Sequence, residues 1–158
     1  MTGAGTIRQE ATTREAAEAW EALFRAQVAL MRRFQRDDIW GELTMREYDV
    51  LFTLSRCPGG AARLRDLAAS SLLTQPSLSR LVERLEADGW VTREAVPGDA
   101  RGVAVTLTEE GARQQREIGR RHVRTISRYV GGALDADELA TLRALTEKLR
   151  AAQPGIPD

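Results

Sequence analysis

The chain has 158 residues, 42% of them hydrophobic and 29% charged, which is the composition of one globular domain of ordinary size. Its 23 basic residues balance 23 acidic ones, so net charge does not exclude nucleic acid, for which a local basic patch suffices. The single cysteine, Cys57, excludes an internal disulfide and a four-cysteine metal site. Without an apolar run long enough for a bilayer or a secretion signal, we expect a cytoplasmic protein that needs no cofactor.

The first part of the chain is predicted to form two helices. Apolar residues at helical spacing predict a long first helix from Thr13 to about Asp38. Thr44 and Glu47 have the spacing of a capping box and predict the start of a second helix, which ends before Pro58. Apolar residues cover most of the circumference of this second helix, so we expect it to be central and buried.

Two more helices are predicted before the chain becomes extended. Leu64 and Leu67 lie on one side of a short helix, and a turn over residues 71–73 follows it. Thr74 is the predicted N-cap of the next helix, which ends at Gly89 and carries Pro76 in its first turn. The apolar side of that helix has i, i+3, i+4, i+7 spacing and comprises Leu78, Leu81, Val82 and Leu85.

A hairpin and two helices complete the chain. Residues 90–96 and 103–108 are predicted strands joined by the turn 97–102. Thr108 is the predicted cap of an arginine-rich helix that reaches Gly131, and Asp135 with Glu138 begins the last helix. The predicted fold is mainly α with a small β-hairpin wing (α+β): a winged helix-turn-helix core flanked by N- and C-terminal helices.

The outward side of the helix that begins after Thr74 is the candidate DNA-binding surface. Small hydroxyls allow close approach to a groove floor, and glutamine and arginine can form paired hydrogen bonds with base edges. Any surface helix has polar residues outside, but the short helix before it and the hairpin after it favour a DNA-docking unit. The candidate residues on this helix are Gln75, Ser77, Ser79, Arg80 and Arg84.

The hairpin tip adds two further candidates, Asp99 and Arg101. A turn needs only residues such as Asp, Asn or Gly, so Arg101 is not required by the turn itself. One hypothesis is that Asp99 holds the Arg101 guanidinium extended by a charge-assisted hydrogen bond, ready to enter the DNA minor groove. The alternative is a surface ion pair that contributes about 0–1 kcal/mol to stability.

The segment LRDLAASSLLTQPSLSRLVERLEADGWVTREAVPGDARGVAVTLTEEG resembles the winged-helix core of the MarR family of bacterial transcription regulators. The most specific elements are the wing tip, Asp99 to Gly102, and the following LTEEG. The resemblance implies one domain over residues 1–158, with a DNA-binding lobe over 44–108 and dimerisation helices over 13–38 and 109–150. It implies a homodimer that binds double-stranded DNA at a pseudo-palindromic operator, usually as a repressor that is often released by a small aromatic or phenolic ligand or by oxidation.

In this family the ligand pocket lies between the dimerisation helices and the DNA-binding lobe. The residues at corresponding positions here are Trp20, Phe24, Trp40, Tyr48 and Phe52. Sequence alone favours a simple core position for each of them. His122 lies on the apolar side of the arginine-rich helix and is interpreted as packed or interfacial, and Cys57 as a small apolar filler.

Two other interpretations remain open at this point. A winged helix can serve as a protein-interaction module without binding DNA. A small enzyme is the other alternative, but one histidine, one cysteine and no Walker, G-x-S-x-G or H-E-x-x-H motif leave little for catalysis, so we expect none. The flanking helices could also pack on their own core in a monomer, although their apolar stripes favour a partner.

Overall fold

The computed structural model of the protein describes residues 10–71, 73–99 and 102–153. The helices and strands of this part follow in the order α1 (Thr13–Arg36), α2 (Met45–Arg56), β1 (Ala61–Arg63), α3 (Leu64–Ala69), α4 (Gln75–Ala87), β2 (Val91–Ala95), β3 (Val103–Leu107), α5 (Glu109–Ile126) and α6 (Ala136–Ala151). The chain divides into two compact units, one that ends at Arg36 and contains α1, and one that begins at Asp37. Within these described ranges, no helix is long and apolar enough to cross a membrane.

Helix α2 is the central helix of the second unit, as predicted. Its capping box is present, because the Thr44 hydroxyl accepts from the Glu47 amide and the Glu47 side chain accepts from the Thr44 amide. Leu51 and Leu54 are completely buried, and α2 packs against both α4 and α5. The helix ends at Arg56, before the tight turn at Pro58–Gly60.

Helix α4 is oriented by its leucines. Leu78, Val82 and Leu85 have no exposed surface, and burial of a side chain of this size stabilises the fold by about 1.5–3 kcal/mol. Thr74 is the N-cap residue, as predicted, but its hydroxyl donates to the Ser77 hydroxyl instead of capping a backbone amide. Gly89, with φ of 77°, follows the helix and turns the chain toward β2.

The sheet has three antiparallel strands in the order β1–β3–β2, one more than the sequence predicted. In the central strand, Val105 is fully buried and pairs with Ala62 on one side and Arg93 on the other. Strand β1 escaped prediction because three residues are too few to show an alternating pattern. Its addition anchors the base of the hairpin to the segment that leads into α3.

Helices α5 and α6 begin at their predicted caps. The Thr108 hydroxyl accepts from the Gly111 amide at 3.0 Å and donates to the Gly89 carbonyl at 2.8 Å, which joins the start of α5 to the end of α4. Helix α5 ends at Ile126 and continues as a π-helical turn over Ser127–Gly131, where the sequence predicted a single helix. Asp135 and Glu138 form the predicted capping box of α6.

Candidate nucleic-acid interface

The polar side of α4 is the surface on which the predicted DNA-binding residues lie. Gln75, Ser77, Arg80 and Arg84 are exposed and Ser79 is half-buried, whereas the four apolar residues of the opposite side are at most 4% exposed. Ser77, Arg80 and Arg84 follow one another at i, i+3 and i+7, so they lie along one face of the helix. We call this set of five residues the α4 polar face.

Local hydrogen bonds order part of the α4 polar face and leave the rest available. The Ser77 hydroxyl oxygen accepts from Thr74 at 3.0 Å, and the Ser79 hydroxyl reaches Glu83 at a long 3.4 Å. Arg80 forms no hydrogen bond or ion pair with any described residue. Its guanidinium therefore presents all five of its donors to solvent, or to a ligand with acceptor groups.

Arg84, at the last turn of α4, is tied to helix α2. Its Nε donates to Oε1 of Glu47 at 3.1 Å. The Arg84 side chain remains 59% exposed, while that of Glu47 is only 9% exposed. The ion pair therefore joins an outward-facing cation of α4 to a buried carboxylate beside the first turn of α2.

The wing turn is fastened to β1 by its aspartate. Oδ2 of Asp99 accepts from Nη1 of Arg63 at 3.2 Å, and Gly102 returns a backbone hydrogen bond to the Asp99 carbonyl. A Cβ at Gly102 would lie 2.7 Å from the Asp99 carboxylate, so a residue with a side chain would displace that carboxylate. Arg101 lies outside the described residues, and its predicted bond with Asp99 stays a prediction.

Arg93 connects the hairpin to α4. Its Nε and backbone amide both donate to the Glu86 carboxylate, at 2.7 Å and 3.1 Å, and its Nη1 reaches Glu83 at 3.3 Å. The guanidinium holds one oxygen of the Glu86 carboxylate and the backbone amide holds the other, so both the distance and the orientation of the carboxylate are fixed. The wing and the α4 polar face are therefore held by charged contacts as one surface.

An aromatic cluster lies on the α2 side of α5. The Trp40 ring centroid is 5.4 Å from Tyr48, and Tyr48 stacks on Phe52 at 6.1 Å. The His122 ring lies 5.0 Å from Trp40 and 5.7 Å from Tyr48. Three of the five predicted ligand-pocket residues thus meet in this cluster, which we define as Trp40, Tyr48, Phe52 and His122.

The remaining two predicted pocket residues, Trp20 and Phe24, lie on α1 and stack on each other with centroids 6.1 Å apart. Both are more than half exposed. Large exposed aromatic rings on one helix face favour contact with another apolar surface.

Burial shifts the pKa values of two ionisable groups in the aromatic cluster. It raises the pKa of the Tyr48 hydroxyl, with a smaller opposing effect from a hydrogen bond with Gln115. It lowers the pKa of His122, although the negative charge of Asp37 acts in the opposite direction. At neutral pH the cluster is therefore a neutral aromatic surface.

Beside Phe52 the cluster opens into a groove of about 580 Å³. Phe52 is 47% exposed, and Arg56 of α2 and Arg116 of α5 also line the groove. Among the described residues no three histidine, cysteine or acidic side chains are grouped closely enough to hold a metal ion.

Sequence reasoning missed the residues that hold the interface together. Glu47 was identified only as a cap, and neither Arg63 nor Arg93 was predicted to hold the interface. The partners Arg63–Asp99 and Glu47–Arg84 are 36 and 37 residues apart, so local spacing carries no signal of either pair. The capping-box pattern was the one local sign that the Glu47 carboxylate has a fixed position.

A short helix, an amphipathic helix with its polar side outward and a hairpin beside it define a winged helix-turn-helix protein. The sequence profile of the MarR family matches residues 42–102. The chain is 32% identical over 108 residues to the multiple antibiotic resistance protein MarR of Salmonella typhimurium, an alignment that covers 68% of this chain and 74% of that protein. The chain belongs to the MarR family and is a DNA-binding transcription regulator.

Solved structures agree with this assignment. Sco3205, a MarR family regulator of Streptomyces coelicolor solved in complex with DNA, superposes with a TM-score of 0.72 at 28% identity, covering 98% of this chain and 97% of that one. A MarR variant from E. coli, solved with operator DNA, gives a TM-score of 0.66 at 28% identity over 81% of this chain and 93% of that one.

Proposed function

We propose that the protein is a homodimeric repressor that binds a pseudo-palindromic operator and is released from it by a small-molecule effector. Residues 44–108 form the DNA-binding lobe, and 13–38 and 109–150 supply the dimerisation helices. The protein acts in the cytoplasm, and we assign it no catalytic reaction. The observation that carries the proposal is the α4 polar face, whose arginines and hydroxyls point away from a fully buried leucine side.

The chemistry of the interface supports different DNA contacts for different residues. Ser77 and Gln75, in the first turn of α4, suit base edges in the major groove, because the N-terminal residues of a recognition helix make the base contacts. Arg80 supplies a fork of donors for guanine or phosphate. Asp99 and Arg101 are proposed to carry the wing's contact with the minor groove.

The distribution of exposed apolar side chains supports the dimer. Among described residues, the large hydrophobic side chains that are at least 37% exposed lie almost entirely on α1, α5 and α6. They are Trp20, Phe24, Val123, Ile126, Leu142, Leu145 and Leu149, with Phe52 the exception. Contiguous exposed apolar patches mark interaction surfaces, and a two-fold interface would place two α4 helices on successive half-sites.

The aromatic cluster supports an aromatic or phenolic effector. Phe52 offers an exposed ring face for stacking and is backed by the buried Tyr48 and Trp40, and the adjoining groove is large enough for a small molecule. Trp20 and Phe24 are proposed to contribute from α1. An effector bound against α2 and α5 touches the helices that connect the dimerisation region with the DNA-binding lobe.

A mobility-shift assay with the DNA upstream of the protein's own coding region tests the proposal. An insertion of about 5 bp between the half-sites rotates one away from the other by half a turn, so we expect binding to weaken at least about tenfold. The same insertion placed outside the DNA segment that the protein binds is the control and should leave binding unchanged. Equal binding to both DNAs would mean that the subunits bind independently and would contradict the dimeric mode.

A further inference from the structure

Glu47 is the one charged residue that the structure buries, among the residues it describes: the whole residue is 7% exposed. A buried carboxylate is costly unless charged or hydrogen-bonding partners compensate it. Glu47 has such partners on both of its oxygens, and they belong to two different helices.

The first oxygen serves the start of α2. Oε2 accepts from the Thr44 amide at 2.8 Å and from the Thr44 hydroxyl at 2.9 Å. Capping alone does not require burial, because Glu138 performs the same task at the start of α6 while exposed. It does not require a charge either, since glutamine also forms capping boxes.

The second oxygen serves α4. Oε1 accepts from Nε of Arg84, and this is the only hydrogen bond or ion pair that the Arg84 side chain makes with the described part of the chain. The two terminal amino groups of its guanidinium have no partner among the residues that the structure describes, and the side chain is exposed. Because Glu47 is held by the cap and by burial, the bond through Nε restricts the directions in which those amino groups point.

The position of Arg84 indicates what the amino groups bind. It lies in the last turn of α4, two turns after Ser77 on the same face. In helix-turn-helix complexes the first turns of the recognition helix contact bases, while other elements contact the backbone. A guanidinium fork suits the paired oxygens of a phosphate, and prior fixation reduces the conformational entropy lost on binding.

Building on the proposed DNA-binding function, we propose that Glu47 is a positioning residue for it. Glu47 holds the Arg84 guanidinium so that its two amino groups bind one phosphate of the DNA backbone. Arg84 thereby contributes affinity that does not depend on base sequence, and the bases are read by other residues of the α4 polar face.

The test measures operator affinity over a range of salt concentrations for Glu47→Gln, Arg84→Ala and the double variant. Glu47→Gln keeps the capping box but weakens the hold on Arg84, so we expect affinity to fall about fivefold. Arg84→Ala should reduce the slope of log affinity against log salt by about one, equally on operator and unrelated DNA. In the double variant Glu47→Gln should add almost nothing, because the residue it positions is gone.

Glu138→Gln, which changes the exposed capping box of α6, is the matched control; once size-exclusion chromatography shows the same oligomer as the wild type, it should bind DNA as the wild type does. If Glu47→Gln does not fold, Arg84→Lys replaces it in the test. Lysine keeps the positive charge but lacks the planar donor fork of the guanidinium, so affinity should fall nearly to that of Arg84→Ala. Wild-type affinity in Arg84→Lys overturns the inference.

Three other results would also overturn it. The effects of Glu47→Gln and Arg84→Ala on affinity could be independent and additive, or Arg84→Ala could leave the salt slope unchanged. The third is that Arg84→Ala loses affinity only for operators that carry one particular base pair. If the wild-type protein does not bind its upstream DNA at any salt concentration, the proposed function fails and not only this inference.

Discussion

At the scale of single residues, the environment of each ionisable side chain decides its role. Arg80 and Arg84 lie on the same face of α4, yet Arg80 has no partner among the described residues and Arg84 is held by Glu47. His122, the only histidine of the chain, is enclosed by the Trp40 and Tyr48 rings. Sequence spacing placed all three residues on the correct sides of their helices but could not identify these neighbours, which belong to other elements.

The direction of the pKa shift of His122 predicts how stability changes with pH. Burial places its pKa in the folded protein below the value of about 6.5 in the unfolded chain. The unfolded state therefore takes up the proton first, and stability falls as the pH drops below about 6.5 toward the folded-state pKa. We expect the proton NMR titration of this single imidazole to have a midpoint below that of free histidine.

Thermal unfolding gives an independent measure of the same effect. His122→Phe keeps an aromatic ring but no titrating group, so it should lose less stability than the wild type between about pH 7.5 and pH 5.5. An NMR midpoint at or above the free value, or identical losses in both proteins, would contradict the buried position of the ring.

At the scale of elements, caps and close approaches join the parts of the interface. Thr108 connects the start of α5 with the end of α4, and Gly111 in the first turn of α5 passes directly against the Trp90 carbonyl. The capping boxes and the leucine spacing of α4 were predictable because they are local patterns. Strand β1 and the π-helical turn after α5 were not, because one depends on a distant partner strand and the other on the packing of neighbouring elements.

Gly111→Ala tests this close approach. A Cβ at this position would lie 2.0 Å from the Trp90 carbonyl oxygen, so the backbone must move. We expect the free energy of unfolding to fall by about 2–3 kcal/mol, as for other overpacked sites, in a chemical denaturation experiment. Gly131→Ala is the control, because its Cβ would meet nothing closer than 3.8 Å and should change stability by less than about 1 kcal/mol. Equal stability of the two variants would contradict the predicted contact.

At the scale of the whole molecule, α1, α5 and α6 expose large apolar side chains, whereas the apolar side of α4 is buried. Arg93 pairs with Glu86 and fastens the hairpin to α4, and Arg63 pairs with Asp99 and fastens the wing turn to β1. The class of fold and the family followed from the sequence because the helix-turn-helix, the wing tip and the capping patterns are local. The partners of the charged residues and the composition of the aromatic cluster required the structure, since they join residues far apart in the chain.

The central claim is that the α4 polar face contacts DNA, and the operator affinity of Arg80→Ala tests it most directly. We expect affinity to fall at least about tenfold, because one well-placed arginine contributes about 1–3 kcal/mol, while the thermal midpoint stays the same. Arg143→Ala removes the same charge from an exposed side chain of α6 and, provided that the dimer is intact, should bind as the wild type does. Wild-type affinity in Arg80→Ala, or an equal loss in both variants, would contradict the account.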